Sequence, residues 1–200
     1  MYIICSDLEG IFTPEVWINV AEKTGIKELR LTTRDISDYD LLMSKRLAIL
    51  KKNGVTLYDI QEVITSMNLL DGALEFLNWM RERTQVILVS DTFSEFAGPF
   101  MKKLKYPTLF CHNLTVDPEG SISTYNLRQE RGKQKTVLAL KSLKYKVVAI
   151  GDSYNDIDML KEADRGFLFN PPTNVKEEFP EFTVSENYEE LKILIDSIIS

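Results

Sequence analysis

The sequence predicts an α/β fold: a Rossmann-like parallel sheet core with a small inserted helical cap. Three observations predict it. Short apolar runs alternate with helical patterns. The first three runs each end in an acid or a serine. A long stretch with helical periodicity and no convincing strand follows the first run.

The runs are Tyr2–Ser6, Gln85–Ser90, Lys146–Ile150 and Gly166–Phe169, each short and rich in Ile, Val or Leu. Those lengths and residue types suit buried strands. Between them, Leu74–Glu82, Glu95–Leu104, Lys135–Leu143 and Asp156–Glu162 carry helical patterns. The stretches VWINVAEKTGI, DYDLLMSKRLAILKKNG and LYDIQEVITSM, all between residues 15 and 70, repeat apolar residues at spacings of three and four. That is too much chain for one crossover helix. Residues 15–70 are therefore expected to form the cap, and 1–14 plus 71–200 the core. In FCHNLTVDPEGSISTYNL, Asp-Pro-Glu-Gly between alternating runs predicts a hairpin. The C-terminal ENYEELKILIDSIIS is amphipathic and is expected to pack on the sheet.

With 200 residues, 44% hydrophobic and 27% charged, the chain has the balance of one globular domain with a sizeable core. A net charge of −6 argues against nucleic acid and against an anionic membrane surface as partner. The two cysteines, Cys5 and Cys111, form no CxxC pair, which suits a reducing compartment. No basic segment with a long apolar run opens the chain, and no run approaches about 18 apolar residues. The cytoplasm is the expected location by elimination, and a homodimer is left open.

In open parallel sheets, ligands bind beyond the carboxyl ends of the strands. Asp7, Ser90 and Asp152 all fall on that edge. Asp7 and Glu9 bracket one residue at the first strand end, and Gly10 lets the backbone turn. Two like charges this close repel unless a cation or a proton separates them. Mg²⁺ takes oxygen ligands and keeps several waters, so a few carboxylates suffice. Alone, the pair reads equally as a solvated turn.

GDSYND adds Asp152, then Asn155 and Asp156 at a helix start, a pattern that also fits an ordinary helix cap. In VILVSDTF, Ser90 offers a hydroxyl and the turn offers N–H groups to an oxyanion, though a plain serine turn has the same residues. A basic group is needed beside a phosphate, and GKQK supplies Lys133 and Lys135. A cation at a helix N-terminus is unfavourable to the helix dipole, which hints at another role for one of them. The residues leave open which one.

This set resembles the haloacid dehalogenase superfamily: DLEG, the serine of LVSD, a lysine in GKQK, and GDSYND, in the family's order from residue 7 to 156. The resemblance implies that Asp7 is the nucleophile, forming an aspartyl-phosphate, with Glu9 as acid and then base. It implies that Asp7, the Glu9 main chain and Asp152 hold Mg²⁺, and that Ser90 and Lys133 hold phosphoryl oxygens. The family's usual second acid is aspartate, and this chain has glutamate. The chemistry is coherent from below, since a carboxylate nucleophile splits one phosphoryl displacement into two and cations neutralise the equatorial oxygens.

For the substrate, Glu15 follows the aspartate loop and Arg46 lies on a cap helix. Glu can pair with an α-ammonium, and Arg can hold an α-carboxylate in a two-pronged fork. Each alone is also ordinary for a solvated helix face. The whole chain is similar to the phosphoserine phosphatases, and especially to the short bacterial branch that also passes the phosphoryl group to homoserine. DLEGIFTPEVW, TTRDISDYDLLM, SDTFSEF and GDSYNDIDML carry that likeness, and the branch shares glutamate at the second acid position. It implies phosphoserine as donor, and water and homoserine as competing acceptors. Asp91 and Asn155 are expected to neighbour substrate and phosphate, and Met43 to wall the pocket or fill the core. His112, in the hairpin segment, is expected to be structural and distant from the strand ends. A receiver-type phospho-acceptor module also uses such an acidic pocket, but it lacks a long helical insertion after the first acidic strand. A phosphatase of another small metabolite would differ only in the cap.

Overall fold

In the computed structural model, residues 1–32, 35–36 and 38–199 are described. Thr33, Arg34 and Ser37 of the quoted stretch TTRDISDYDLLM, and the terminal Ser200, lie outside the described residues.

The seven strands among the described residues form one sheet. They are β1 (Tyr2–Ser6), β2 (Gln85–Phe93), β3 (Thr108–Val116), β4 (Ile122–Asn126), β5 (Lys146–Gly151), β6 (Arg165–Phe169) and β7 (Thr183–Ser185), in the spatial order β4-β3-β2-β1-β5-β6-β7. All neighbours run parallel except the β3–β4 hairpin. β1 lies centrally, with Ser6 beside Leu88 of β2 and Ile150 of β5. The Asp7 N–H continues the ladder, donating to the Ile150 carbonyl at 2.9 Å. Asp7 and Asp152 therefore leave adjacent strands side by side.

The sheet is covered on both faces, and strand alternation sorts the side chains. On one face, Ile4 packs with Phe76 and Leu77 of α4 (Ala73–Arg81) and with Leu191 and Ile195 of α9 (Tyr188–Ile199). The C-terminal helix thus packs where its amphipathicity predicts. On the other face, Ile3 and Cys5 pack with Val137 of α6 (Gly132–Ser142), Leu160 of α7 (Ile157–Glu162) and Val175 of α8 (Thr173–Glu178). Tyr188 of α9 stacks between Phe76 and Phe169, with ring centroids 4.8 Å apart in each pair. Its hydroxyl donates to the Ile11 carbonyl at 2.6 Å, pinning the loop that follows Asp7.

The described residues of 16–66 add helices and no strand to the sheet: α1 (Val16–Thr24), a 3₁₀ turn (Lys27–Arg30), α2 (Tyr39–Asn53) and α3 (Leu57–Ser66). Local chemistry sets their ends. Asp38 caps α2, accepting from the Leu41 N–H, and Gly54 closes it in the left-handed region at φ 66°. Thr56 and Asp59 form a reciprocal capping box on α3. These helices bury Val16, Val20, Met43, Ile60 and Ile64 in one cluster with Phe93, Phe96 and Phe100 at the end of β2 and along α5 (Ser94–Lys103). Met43 is 1% exposed and belongs to this core. Two tyrosines tie α2 to the sheet. The Tyr39 hydroxyl donates to the Asp91 carbonyl at 3.2 Å, and the Tyr125 hydroxyl bonds the Asp40 carboxylate.

Asp117 to Gly120 make the hairpin turn, where the Gly120 N–H donates to the Asp117 carbonyl at 3.0 Å. The structure also extends the sequence reading. β3 is a full parallel strand on β2, β2 continues past Ser90 to Phe93, and α6 begins at Gly132 rather than Lys135. The three-residue β7 is too short for an alternation signal. No helix among the described residues is long and apolar enough to cross a membrane.

Candidate active site

The loops after β1, β2 and β5 and the start of α6 converge at the carboxyl edge of the sheet. Lys133 occupies the first turn of α6, 4% exposed. Its ammonium lies 2.9 Å from Asp7 Oδ2, 2.8 Å from Asp156 Oδ1 and 3.7 Å from Asp91 Oδ2. Burial works against its charge, yet Asp156, Asp7 and Asp91 together hold the lysine protonated, well above its ordinary range. Of the two lysines left open by the sequence, Lys133 is the one beside Asp7; Lys135 lines a neighbouring cavity.

Asp7 is buried, and its Oδ1 accepts the Leu8 N–H at 2.7 Å. Burial raises its carboxyl well above the usual carboxylate range, against the pull of Lys133 and with the push of Asp156 and Asp152. Oxygens of Asp7, Asp152 and Asp156 lie within 4.8 Å of one another. Those of Asp156 are already engaged: Oδ1 by Lys133, and Oδ2 by the N–H groups of Asp152 at 3.0 Å and Ser153 at 3.1 Å. Asp156 therefore orients Lys133 and the Asp152 loop. Two glycines, Gly10 in the loop after β1 and Gly151 at the end of β5, make this packing possible. A Cβ on Gly10, whose φ is +77°, would sit 2.5 Å from the Asp152 carboxyl carbon, and one on Gly151 would sit 2.3 Å from Asp156 Cβ.

Glu9 points away from this cluster. Its Oε2 accepts the Val16 N–H at 2.9 Å, and the Thr92 hydroxyl hydrogen-bonds its carboxylate. Burial, reinforced by the charge of Glu15, pushes the Glu9 carboxyl up to about 7, while the bonds from Val16 and Thr92 and the charge of Arg46 oppose the shift. Two carboxylates two residues apart thus have different surroundings: Asp7 faces a lysine and acids, and Glu9 faces the helical segment. Thr92 escaped the sequence reading. Period-2 alternation beyond Ser90 puts both hydroxyls on one side of β2, which was the available signal. Ser90 is buried, and its Oγ accepts the Thr92 N–H at 3.2 Å, so it makes the serine turn while facing the cavity.

A cavity of about 250 Å³ joins Asp7, Glu9, Ser90, Asp91, Asp152 and Asn155 to Glu15 and Arg46 of the helical segment. Every predicted site residue except Lys133 lines it, and Lys133 reaches it through Asp7. Arg46 is 7% exposed, with its guanidinium 4.4 Å over the Trp17 ring. One terminal nitrogen donates to the Leu31 carbonyl at 2.7 Å, the other contacts Met43 sulfur, and Nε has no hydrogen-bond partner among the described residues. Burial lowers the guanidinium to about 10, against the pull of Tyr39, Glu9 and Glu15. A buried cation with an unmet donor, beside a cavity also lined by a carboxylate, is suited to a zwitterionic ligand.

One expectation is overturned. His112 is not remote from the strand ends: its Nε2 lies 3.5 Å from Asp91 Oδ1. The pairing of β3 on β2, absent from the sequence reading, brings it there, with His112 opposite Phe93.

A buried carboxylate paired with a lysine, beside an acidic cluster at this sheet edge, fits a phosphoryl-transfer class of site. A family model described as haloacid dehalogenase-like hydrolase matches residues 9–164. The chain belongs to that family, and within it to the branch of the phosphoserine phosphatases. It is 54% identical over 192 residues to phosphoserine phosphatase ThrH of Pseudomonas aeruginosa, covering 96% of this chain and 94% of that one. It is also 54% identical over 190 residues to a phosphoserine phosphatase of Pseudomonas syringae pv. tomato, covering 95% of this chain and 80% of that one. A crystal structure of phosphoserine phosphatase in apo form superposes with a TM-score of 0.79 at 21% identity, covering 100% and 99% of the two chains. A substrate-bound phosphoserine phosphatase complex superposes with a TM-score of 0.78 at 20% identity, covering 96% of each. These last two likenesses establish the fold.

Proposed function

We propose that this chain is a Mg²⁺-dependent phosphoserine phosphatase that works through an aspartyl-phosphate on Asp7 and also transfers the phosphoryl group to homoserine. The observation that carries the reading is the Asp7–Lys133 contact of 2.9 Å, with Asp7 lining a cavity that Glu15 and Arg46 also line. The names of the 54% identical relatives support phosphoserine as the donor. Residues 15–70 are the cap, and 1–14 with 71–200 the catalytic core.

Arg46 takes the α-carboxylate of phosphoserine and Glu15 its α-ammonium, while Ser90, Lys133, Asn155 and the turn N–H groups receive the phosphoryl end. Asp91 braces Asn155 by accepting its amide at 2.9 Å. Asp7 attacks phosphorus, forming a P–O bond to its carboxylate as the bond to the serine oxygen breaks. Glu9, protonated, gives its proton to that leaving oxygen; a carboxyl near 7 suits both halves of the cycle. Glu9, now ionised, takes a proton from water or from the homoserine hydroxyl. That oxygen attacks phosphorus and the Asp7–phosphorus bond breaks, giving phosphate or O-phosphohomoserine. The donors fit Mg²⁺: Asp7 and Asp152 offer oxygens a short distance apart, and buried acids outnumber the one buried lysine. Held by Asp7, the Glu9 main chain and Asp152, the ion would neutralise charge on the phosphoryl oxygens.

The test is phosphate release from L-phosphoserine with Mg²⁺, run with and without L-homoserine while O-phosphohomoserine is followed. Phosphate release that falls as phosphohomoserine appears supports one shared intermediate. Release without phosphohomoserine removes the transferase half, and no product from either removes the substrate assignment.

A further inference from the structure

His112 is the sole histidine of the chain and is 5% exposed. Its Nδ1 accepts the Arg128 N–H at 3.1 Å. In a neutral ring that bond leaves the proton on Nε2, the nitrogen 3.5 Å from Asp91 Oδ1. The other Asp91 oxygen accepts from Asn155 at 2.9 Å and lies 3.7 Å from the Lys133 ammonium. Asp91 thus stands between an imidazole anchored to the backbone and two groups, Asn155 and Lys133, to which the proposed function gives the phosphoryl end. Its carboxyl stays ionised: burial opposes the charge, but Lys133, His112 and Asn155 outweigh it.

We propose that His112 is a positioning residue for the phosphoryl-binding wall: held by the Arg128 N–H, it fixes the Asp91 carboxylate, which in turn fixes Asn155 and Lys133. A carboxylate held at only one oxygen swings about its side-chain torsion. Here such a swing would release Asn155 and turn a negative charge toward the phosphoryl oxygens. The Arg128 N–H supplies the second restraint through the ring, and His112 needs no contact with substrate. The proposal rests on the phosphatase reading for its assays and on geometry alone for its spectroscopy.

Because there is one imidazole, long-range ¹H–¹⁵N spectra of tag-free protein report it without assignment. The expected result is the Nε2–H tautomer, with a signal that shifts in Asp91→Ala; an Nδ1–H ring, or a signal unmoved by Asp91→Ala, overturns the proposal. In turnover, His112→Phe is expected to lower kcat/KM about tenfold, the size of a lost charge-assisted hydrogen bond. His112→Gln, which keeps an N–H near the Nε2 position, should recover most of it. In an Asp91→Ala background, His112→Phe should add less than about twofold. Losses that multiply independently, or a His112→Gln protein as slow as His112→Phe, refute positioning through Asp91. If His112→Phe does not fold, His112→Gln below about a tenth of wild-type activity refutes it. Each assay uses both L-phosphoserine and p-nitrophenyl phosphate. Failure of wild type on the first alone indicts the substrate assignment, and the second still tests His112.

Discussion

Lys133 Nζ and Asp156 Oδ1 lie 2.8 Å apart, and Asp156 is fully buried. The same aspartate receives the Asp152 and Ser153 N–H groups, so one carboxylate fixes both the lysine and the second acidic loop. Asp156→Asn removes the charge while nearly conserving shape. Loss of one partner of a buried pair costs about 3–5 kcal/mol, and the surviving Asp7 contact places the expected loss at the lower end, about 3 kcal/mol by urea denaturation. Turnover should fall with it; full activity and an unchanged midpoint would contradict the role given to Asp156.

Arg46 tests the amino-acid clamp. Arg46→Ala should raise KM for L-phosphoserine roughly ten- to a hundredfold, the worth of a hydrogen bond to a charged group. The loss on p-nitrophenyl phosphate, which has no α-carboxylate, should be far smaller. Equal losses on the two substrates would remove the clamp. Arg46→Lys should rescue poorly, because a lysine neither stacks flat on Trp17 nor offers the planar fork.

Thr92 hydrogen-bonds Glu9 from a buried position on β2. Thr92→Val keeps the shape and removes the hydroxyl. A single neutral hydrogen bond predicts a kcat about two- to tenfold lower, with Thr92→Ser close to wild type. Steady-state rates on L-phosphoserine check this, and equal behaviour of the valine and serine variants would refute it.

The capping box of α3 predicts a pH dependence of stability away from the site. The Asp59 carboxylate receives the Thr56 hydroxyl at 2.6 Å and the Thr56 N–H at 2.7 Å, and these bonds lower its pKa below the ordinary value. The folded pKa is below the unfolded one, so the unfolded chain binds more protons as pH falls. The stabilisation is present above about pH 4 and is lost as pH drops through the folded value. Thr56→Ala should cost about 1 kcal/mol at pH 7, typical of a lost cap. The gap between wild type and Asp59→Ala, followed by thermal melts, should close below pH 4.

The parts of the fold legible in the sequence were those with local periodicity. β1 and β5 are short continuous apolar runs, and α1 to α3 and α9 repeat apolar residues at helical spacing. The acids and the serine at the strand ends marked the site because burial makes such residues costly without a purpose. Contacts set by strand pairing were not legible. Nothing local to His112 reveals that β3 lies parallel on β2, so nothing local puts the ring beside Asp91. Lys133 and Lys135 are chemically alike and two positions apart. Only the start of α6 at Gly132 decides which of them turns inward. Asp156 looked like a helix cap; its side chain instead closes the capping box of the 3₁₀ turn Tyr154–Asp156 by accepting the Ser153 N–H, and its use with Lys133 needs the folded chain.

β1 is flanked by β5, reached only after most of the chain, with Tyr2 paired to Lys146. Asp7 and its neighbour across the ladder, Ile150, thus lie far apart along the chain, and the second is made long after the first. Such distant pairing forms slowly, because loop closure precedes the contacts that repay it. During synthesis, β1 must wait without its partner strand, an apolar segment in need of shelter. On refolding from urea, catalytic activity should return with the slowest phase that restores the sheet centre.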